Sequence, residues 1–450
     1  MAPGSARSTP GYPPTPVLGA CPGGDVPQLP PQWHAIALLT PFEMGDMMVA
    51  EVLCDSAAGN MWIKLMGVSG GSSLMFIMTP EGVYFRLTGN EWIGPVDLGW
   101  VVPGQDWLAG RGCSCVGTQR ILTQECAWWV GLSPCTNGCE QGGCPPVDVG
   151  NWLWFRTDNG MPWRFMFINA DNPYALPVLG DCAFVHFPLF EPTDAAAVSA
   201  HVDAARASAK PSTLAAAEVR DLSGMLKRAP VIDPAEHRAE LQSLIPGLTP
   251  LQGTCSQLPS WPDTMYVNAL TVPTAGSSVL VTEIFYDATI DRMLTRLWEP
   301  GDTRDDLILT PGQTYDVSYQ GGVEKGCAKA DPVGPPYQNW PVHDQCQCRA
   351  AIAHNPDFAP DDTIIIFNCP SDPPRNFWIW YTAEGRPVMF SEVPQYCDVG
   401  LILIDYYEFV PNAQIDPDMF TLPTDCGQTH AAAAEPRVRR RLQPLMRRIR

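Results

Sequence analysis

The sequence predicts a mainly-β protein: two tandem antiparallel sheets joined by a helical connector. Residues 281–298, VTEIFYDATIDRMLTRLW, reproduce residues 49–66, VAEVLCDSAAGNMWIKLM, at one fixed offset. Val49 falls on Val281, Glu51 on Glu283, Asp55 on Asp287, Met61 on Met293, Lys64 on Arg296 and Leu65 on Leu297. Both copies alternate apolar and polar residues around a polar turn, which is the period of a hairpin with two distinct faces. Their recurrence well inside each half marks an internal duplication. Composition agrees: 38 glycines, 47 prolines and 10% aromatics beside only 17% charged residues make a turn-rich, aromatic-rich chain, the profile of all-β domains. Between the halves, residues 194–250 turn Ala-rich and helical, with no counterpart after the second half.

The elements follow in order. Residues 1–27 are a Pro/Gly-rich leader, expected to be disordered. QLPPQW at 28–33 recurs as QLPSW at 257–261, each shortly after a cysteine, Cys21 and Cys255, and these mark the two domain starts. The first β domain spans 28–193. Residues 74–87 form a hairpin around Pro80-Glu81-Gly82, and residues 152–168 another around Asp158-Asn159-Gly160, both strong turn signals. In the connector, 194–250, Ser212-Thr213 and Asp233-Pro234 read as helix starts. The second β domain, 251–428, replays the plan and reads as a unit able to fold alone. Its residues 377–390, FWIWYTAEGRPVMF, match the Trp152 hairpin, with Gly385 on Gly160 and Pro387 on Pro162. Residues 429–450 are a basic tail, expected to be disordered.

Charge narrows the partners. The net charge is −20, yet seven arginines lie between Arg437 and Arg450, so the rest of the chain stands near −27. An acidic body argues against nucleic acid or anionic membrane as partner. No stretch reaches the roughly 20 apolar residues of a spanning helix, so no transmembrane segment is expected. Sixteen cysteines point to disulfides outside the cell or to metal sites inside it. Cys113/Cys115 and Cys346/Cys348 occupy matching places, as do Cys21 and Cys255, and Cys182 and Cys397 fall near each other. The spacing through Cys126, Cys135, Cys139 and Cys144 is not that of a zinc site and no His pair accompanies it. Disulfides are therefore expected ahead of a zinc knuckle, with one joining Cys255 to a late cysteine such as Cys426. No signal peptide is visible. An extracellular or secretory location is expected from the cysteines, with a cytoplasmic one as the alternative. The oligomeric state is left open.

Cys255 ahead of Trp261, Tyr286-Asp287 in the hairpin, Cys346 and Cys348, and FTLPTDC from Phe420 to Cys426 together resemble the ependymin-related proteins. The likeness covers residues 255–426 and, more loosely, the first half. There Cys54 stands where the second half has Tyr286, and FEPTDAA from Phe190 lacks the closing cysteine. The resemblance implies strongly curved, half-barrel-like antiparallel sheets similar to bacterial lipoprotein carriers. It also implies a concave apolar face that binds hydrophobic molecules, and a secreted, disulfide-bonded protein, in some members linked to calcium.

The candidate ligand-binding residues are Trp152, Trp154, Trp163, Trp378, Trp380 and Phe390, with Glu51 and Glu283. The aromatics recur on both faces of their hairpins, and one face of each must meet something other than the sheet's own core. Trp378 and Trp380 share one face and Phe377, Ile379 and Tyr381 the other, so one set is expected to line a pocket and the other to pack beneath it. Glu51 and Glu283 sit mid-strand among apolar neighbours, where a carboxyl can serve as a general base, although a solvent-facing role is the ordinary one. Asp55 and Asp287 read as turn residues bonding their own backbone, and His186 as a core histidine. No G-x-S-x-G, phosphate loop, dinucleotide fingerprint or H-E-x-x-H occurs, so no catalytic residue, cofactor or metal is assigned. The function expected is non-catalytic binding of a hydrophobic small molecule or lipid. The alternatives are a cyclase or isomerase acting on an apolar metabolite in the same cavity, and a structural matrix or adhesion protein.

Overall fold

The computed structural model describes residues 18–41, 45–86, 91–109, 112–134, 148–166, 183–229, 231–251, 253, 259–273, 279–299, 303–330, 346–370, 376–391, 401–423 and 426. The first half lays down β1 (Gln32–Pro41), β2 (Met48–Asp55), β3 (Asn60–Gly67), β4 (Ser73–Thr79), β5 (Gly82–Arg86) and β6 (Ile93–Val96), then β7 (Ser114–Ile121), β8 (Gln124–Pro134), β9 (Asp148–Arg156), β10 (Pro162–Met166) and β11 (Ala183–Pro192). They form one 11-stranded sheet in the order β6-β5-β4-β3-β2-β1-β11-β10-β9-β8-β7. The second half contributes β12 (Leu248–Pro250), β13 (Thr264–Pro273), β14 (Leu280–Asp287), β15 (Arg292–Glu299), β16 (Thr303–Thr310), β17 (Gln313–Gln320) and β18 (Val323–Ala330). It continues with β19 (Gln347–Asn355), β20 (Ala359–Pro370), β21 (Asn376–Thr382), β22 (Pro387–Ser391) and β23 (Leu401–Pro411). Leaving aside β12, which adds to the β19 edge, the 12-stranded sheet repeats the first order strand for strand. In each half the last strand closes on the first, β11 on β1 and β23 on β13, antiparallel. The chain is thus mainly β and internally duplicated. Sheets this wide twist and curl rather than lie flat, and bulges such as those at Ile36/Leu38 and Asn268/Ala269 sharpen the bend.

Alternation along the strands decides what each sheet touches. Ile36 and Leu38 on β1, Trp152 and Trp154 on β9, Leu270 and Val272 on β13, and Trp378 and Trp380 on β21 belong to one buried cluster shared by both halves. Trp378 Nε1 donates to the carbonyl of Pro41, 2.9 Å away, stitching β21 to the end of β1. A buried indole removes roughly 150–250 Å² from water, worth about 4–6 kcal/mol as an upper figure, so the shared core is a large fraction of what holds the chain together. Leu153 and Phe155 face the other way, into the first half's own core. Ile379, Tyr381 and Phe390 do the same in the second half.

The connector covers what the sheets leave. Helices α1 (Ala195–Ser208), α2 (Ala216–Arg220), α3 (Leu222–Arg228) and α4 (Pro234–Leu244) occupy it. Residues 214–228 read as one helix but are two. Asp221 ends α2, and its carboxylate accepts from the backbone of Gly224 at 2.9 Å to start α3, the competition that makes Asp a cap. Asp194 and Asp233 cap α1 and α4 in the same way, with Pro234 in the first turn. Val219, Met225 and Leu226 of α2 and α3 fill the face carrying Leu153 and Phe155. Val198, Val202 and Ala205 of α1 pack on Trp62, Ile77 and Tyr84. In the second half the segment after β23 takes α1's place, putting Ala413 and Phe420 on Phe285, Leu294 and Ile308.

Three disulfides are described: Cys21–Cys115, Cys327–Cys426 and Cys346–Cys369. Cys426 therefore pairs with Cys327 on β18 rather than with Cys255, which corrects the expected pairing. The sheet brings β18 to the face that the C-terminal segment covers, whereas sequence separation alone does not order the cysteines. Cys348 is also disulfide-bonded, and Cys54 and Cys126 are buried free thiols. Cys135, Cys139, Cys144, Cys182, Cys255 and Cys397 lie outside the described residues, as do residues 1–17 of the leader and 429–450 of the tail. The rest of the leader is tied down: Gly19 bridges Thr118, and Val26 is buried. Among the described residues no helix is long and apolar enough to cross a membrane.

Candidate functional site

The residues singled out from sequence fall in three places. Trp152, Trp154, Trp163, Trp378 and Trp380 come together in the shared core, each at most 1% exposed. Phe390 lies across its sheet from them, beside Phe377 and Ile379. Glu51 and Glu283 stand apart from both groups, at matched positions. His34 Nε2 meets Glu51 at 3.3 Å, and at the same offset the Tyr266 hydroxyl donates to Glu283 at 3.1 Å. Trp298 Nε1 donates to the other oxygen of Glu283 at 2.8 Å. These carboxylates are held by neighbours on their own sheet. Glu51 and Glu191 also raise the pKa of His34, which burial alone would lower. Asp55 and Asp287 accept from the backbone of Ala58 and Thr289, at 3.2 and 2.9 Å, as turn residues do.

A cleft of about 440 Å³ opens where the halves meet. One wall is the tip of the β7–β8 hairpin, Arg120 to Thr123; the other is built from β20, β22 and β23 with the turn before β20. The hairpin tip is held in an unusual shape. Leu122 has φ 55°, a left-handed conformation that costs a branched residue about 1–3 kcal/mol. Arg120 Nε donates to the Leu122 carbonyl at 3.2 Å. Thr123 Oγ1 donates to the Asp357 carbonyl at 2.9 Å, fastening the tip to the second half. Ile121, Leu122, Phe358, Ile364 and Val388 make the walls apolar, while Arg120, Arg386, Asp361 and Asp362 stand at the cleft with charged side chains.

Below lies a buried polar group that the sequence reading missed. Arg164 on β10 is fully buried, and its Nη1 donates to both carboxylate oxygens of Asp405 on β23, at 2.8 and 2.7 Å. The guanidinium also sits 4.9 Å from the Phe184 ring and 5.5 Å from that of Trp154. Burial raises the pKa of Asp405, and Arg164 opposes the rise. Tyr407 is two residues on, so it shares Asp405's face of β23, and both line the cleft. The ring of Tyr407 is partly exposed, but its hydroxyl is buried with no hydrogen-bond partner among the described residues. Its pKa is pushed well up, first by burial and then by the Asp405 charge. His186, the cross-strand neighbour of Arg164, is wedged against Phe184, Phe358 and Trp380, and burial then Arg164 hold its pKa well down. The signal was present in the sequence: a lone arginine inside WRFMF and a lone aspartate inside ILIDYY mark charges placed on otherwise apolar strands.

The fold and this cleft define a duplicated β-sheet protein with an apolar-walled site between its halves. No protein-family model matches the chain, and no curated protein matches it. One solved structure is similar, that of an uncharacterized conserved protein from Thermus thermophilus. It is 17% identical over 37% of this chain and 83% of its own, with a TM-score of 0.23. A likeness at that level carries no argument about either fold or function.

Proposed function

We propose that the protein binds a small, largely apolar molecule without transforming it, in the cleft between its two sheets. The observation that carries this reading is the cleft itself. Its volume of about 440 Å³ lies within the span of small-molecule sites, which favour domain junctions, apolar walls and a few convergent polar groups. The faces of the sheets turned away from the shared core are a weaker choice in the first half, where Val219, Met225 and Leu226 already occupy that face. The five tryptophans then act from behind, as the packed wall against which Phe358 and the cleft are set. The likeness to ependymin-related proteins supports the same class of ligand, and the disulfides fit an extracellular or secretory setting. Chemistry on an apolar metabolite would ask for an available acid, whereas Asp405 is committed to Arg164.

The test is titration of the full-length protein with an apolar naphthalene probe, following tryptophan emission, beside the variant Val388→Trp. Val388 lines the cleft and is partly exposed there, so an indole fills the space without entering the core. Saturable binding by the wild type that is lost in the variant supports the reading. Equal binding by both places the ligand elsewhere.

A further inference from the structure

The floor of the cleft has a chemistry of its own, and it narrows the ligand class. This inference rests on the cleft being a binding site. Among the described residues the Tyr407 hydroxyl and the Nε and Nη2 of Arg164 have no hydrogen-bond partner. Arg164 carries donors only, and Tyr407 offers one more. Buried donors without acceptors are costly, and this group lies directly against Asp405 and Tyr407, which face the cleft. The missing complement is therefore an acceptor. Its charge can be decided too. The single positive charge of Arg164 is already matched by the carboxylate of Asp405, and a second carboxylate beside it would be buried with nothing to balance it. The walls above are hydrocarbon.

We infer that Tyr407 is the specificity-determining residue of the cleft and selects neutral apolar ligands that carry a carbonyl or hydroxyl oxygen at their buried end. The Tyr407 hydroxyl donates to that oxygen, and a ligand hydroxyl can also donate to the free lone pairs of Asp405. Carboxylate-bearing analogues of the same shape are rejected by the Asp405 charge.

Three matched probes test this: 2-acetylnaphthalene, 2-ethylnaphthalene and 2-naphthoate, titrated into the full-length wild type and Tyr407→Phe. The ketone should bind the wild type about tenfold more tightly than the ethyl isostere, the worth of one hydrogen bond, and the naphthoate should bind weakest. In Tyr407→Phe the ketone and ethyl probes should become equal, while the ethyl probe keeps its wild-type affinity, showing that the cleft is intact. Equal binding of all three by the wild type overturns the selectivity but leaves the cleft as an apolar site. Preference for naphthoate overturns the charge argument. Lack of binding by any probe overturns the cleft reading and this inference with it. A variant that loses the ethyl probe as well assigns Tyr407 to structure and refutes the specificity role.

Discussion

Arg164 and Asp405 lie 241 residues apart, one in each half, and meet in a two-point ion pair that both sheets bury. A buried pair of this kind adds little when compared with a well-packed apolar replacement, but removing one partner strands the other charge. Arg164→Leu or Asp405→Leu alone should destabilise the protein by about 3–5 kcal/mol. The double variant should recover most of that loss. Chemical denaturation of the three variants checks it; costs that simply add would show that the two residues are not coupled.

The shared core makes a second prediction, about the halves. Residues 251–428 read as a self-sufficient unit from their own start, hairpins and closing strand. Yet Trp378, Trp380, Leu270 and Val272 are buried together with Ile36, Leu38, Trp152 and Trp154 of the other half. Expressed alone, the second half should expose this face, bind an apolar dye and self-associate. A monodisperse, dye-silent fragment in sedimentation would show that the core is not needed.

Trp380 serves the same core, with the ring of His186 at 5.0 Å and that of Phe358 at 5.9 Å. Trp380→Ala should therefore cost about 3–5 kcal/mol of stability rather than act on ligand binding alone. Thermal unfolding followed by near-UV dichroism reports it, and a change below about 1 kcal/mol would mean the site collapses around the smaller side chain.

Two histidines should act on stability with opposite signs. Burial depresses the pKa of His186 in the folded state. The unfolded chain gains a proton below about pH 6.5 that the folded chain does not, so stability falls as the pH drops through that point. His34 is raised by Glu51 and Glu191. Its contribution is full below about pH 6.5 and fades as the pH rises through its higher folded value. Asp405 is raised as well, mainly by burial, so its effect is a loss of stability as the pH climbs above about 3.8. Unfolding free energies from pH 4.5 to 8 should show His186→Phe flattening the acid limb. His34→Gln should remove less than about 1 kcal/mol, and only at the acid end. An unchanged acid limb in His186→Phe would assign it to other groups.

Disulfide mapping under non-reducing conditions should recover Cys21–Cys115, Cys327–Cys426 and Cys346–Cys369. Cys54 and Cys126 should react with a thiol reagent only after denaturation. Reduction should lower stability by roughly 2–4 kcal/mol for each bridge lost. Recovery of a Cys255–Cys426 peptide would contradict the pairing.

Much of the fold was legible because the sequence stated it twice. The matched hairpins at Glu51 and Glu283, the turns at Asp158-Asn159-Gly160 and Glu384-Gly385, and the caps at Asp194 and Asp233 are local signals, and local physics decides them. Alternation correctly put Trp378 and Trp380 on one face and Ile379 and Tyr381 on the other. Alternation cannot say what each face meets. The tryptophan faces meet the other half of the chain, a contact between segments more than 200 residues apart, as the Trp378 bond to Pro41 shows. The cleft is harder still, since Leu122, Phe358, Val388 and Tyr407 converge only when β7, β20, β22 and β23 are in place. Arg164 and Asp405 were visible as charges in apolar strands, and asking what could pair with a buried arginine would have been the route to them.

The location of a bound ligand tests the central claim most directly. Crystals soaked with 2-bromonaphthalene should give a bromine anomalous peak between Leu122 on one side and Phe358 and Val388 on the other, above Tyr407. A peak on the opposite face of the second sheet, beside Tyr381 and Phe390, or no peak at concentrations that saturate tryptophan quenching in solution, would contradict it.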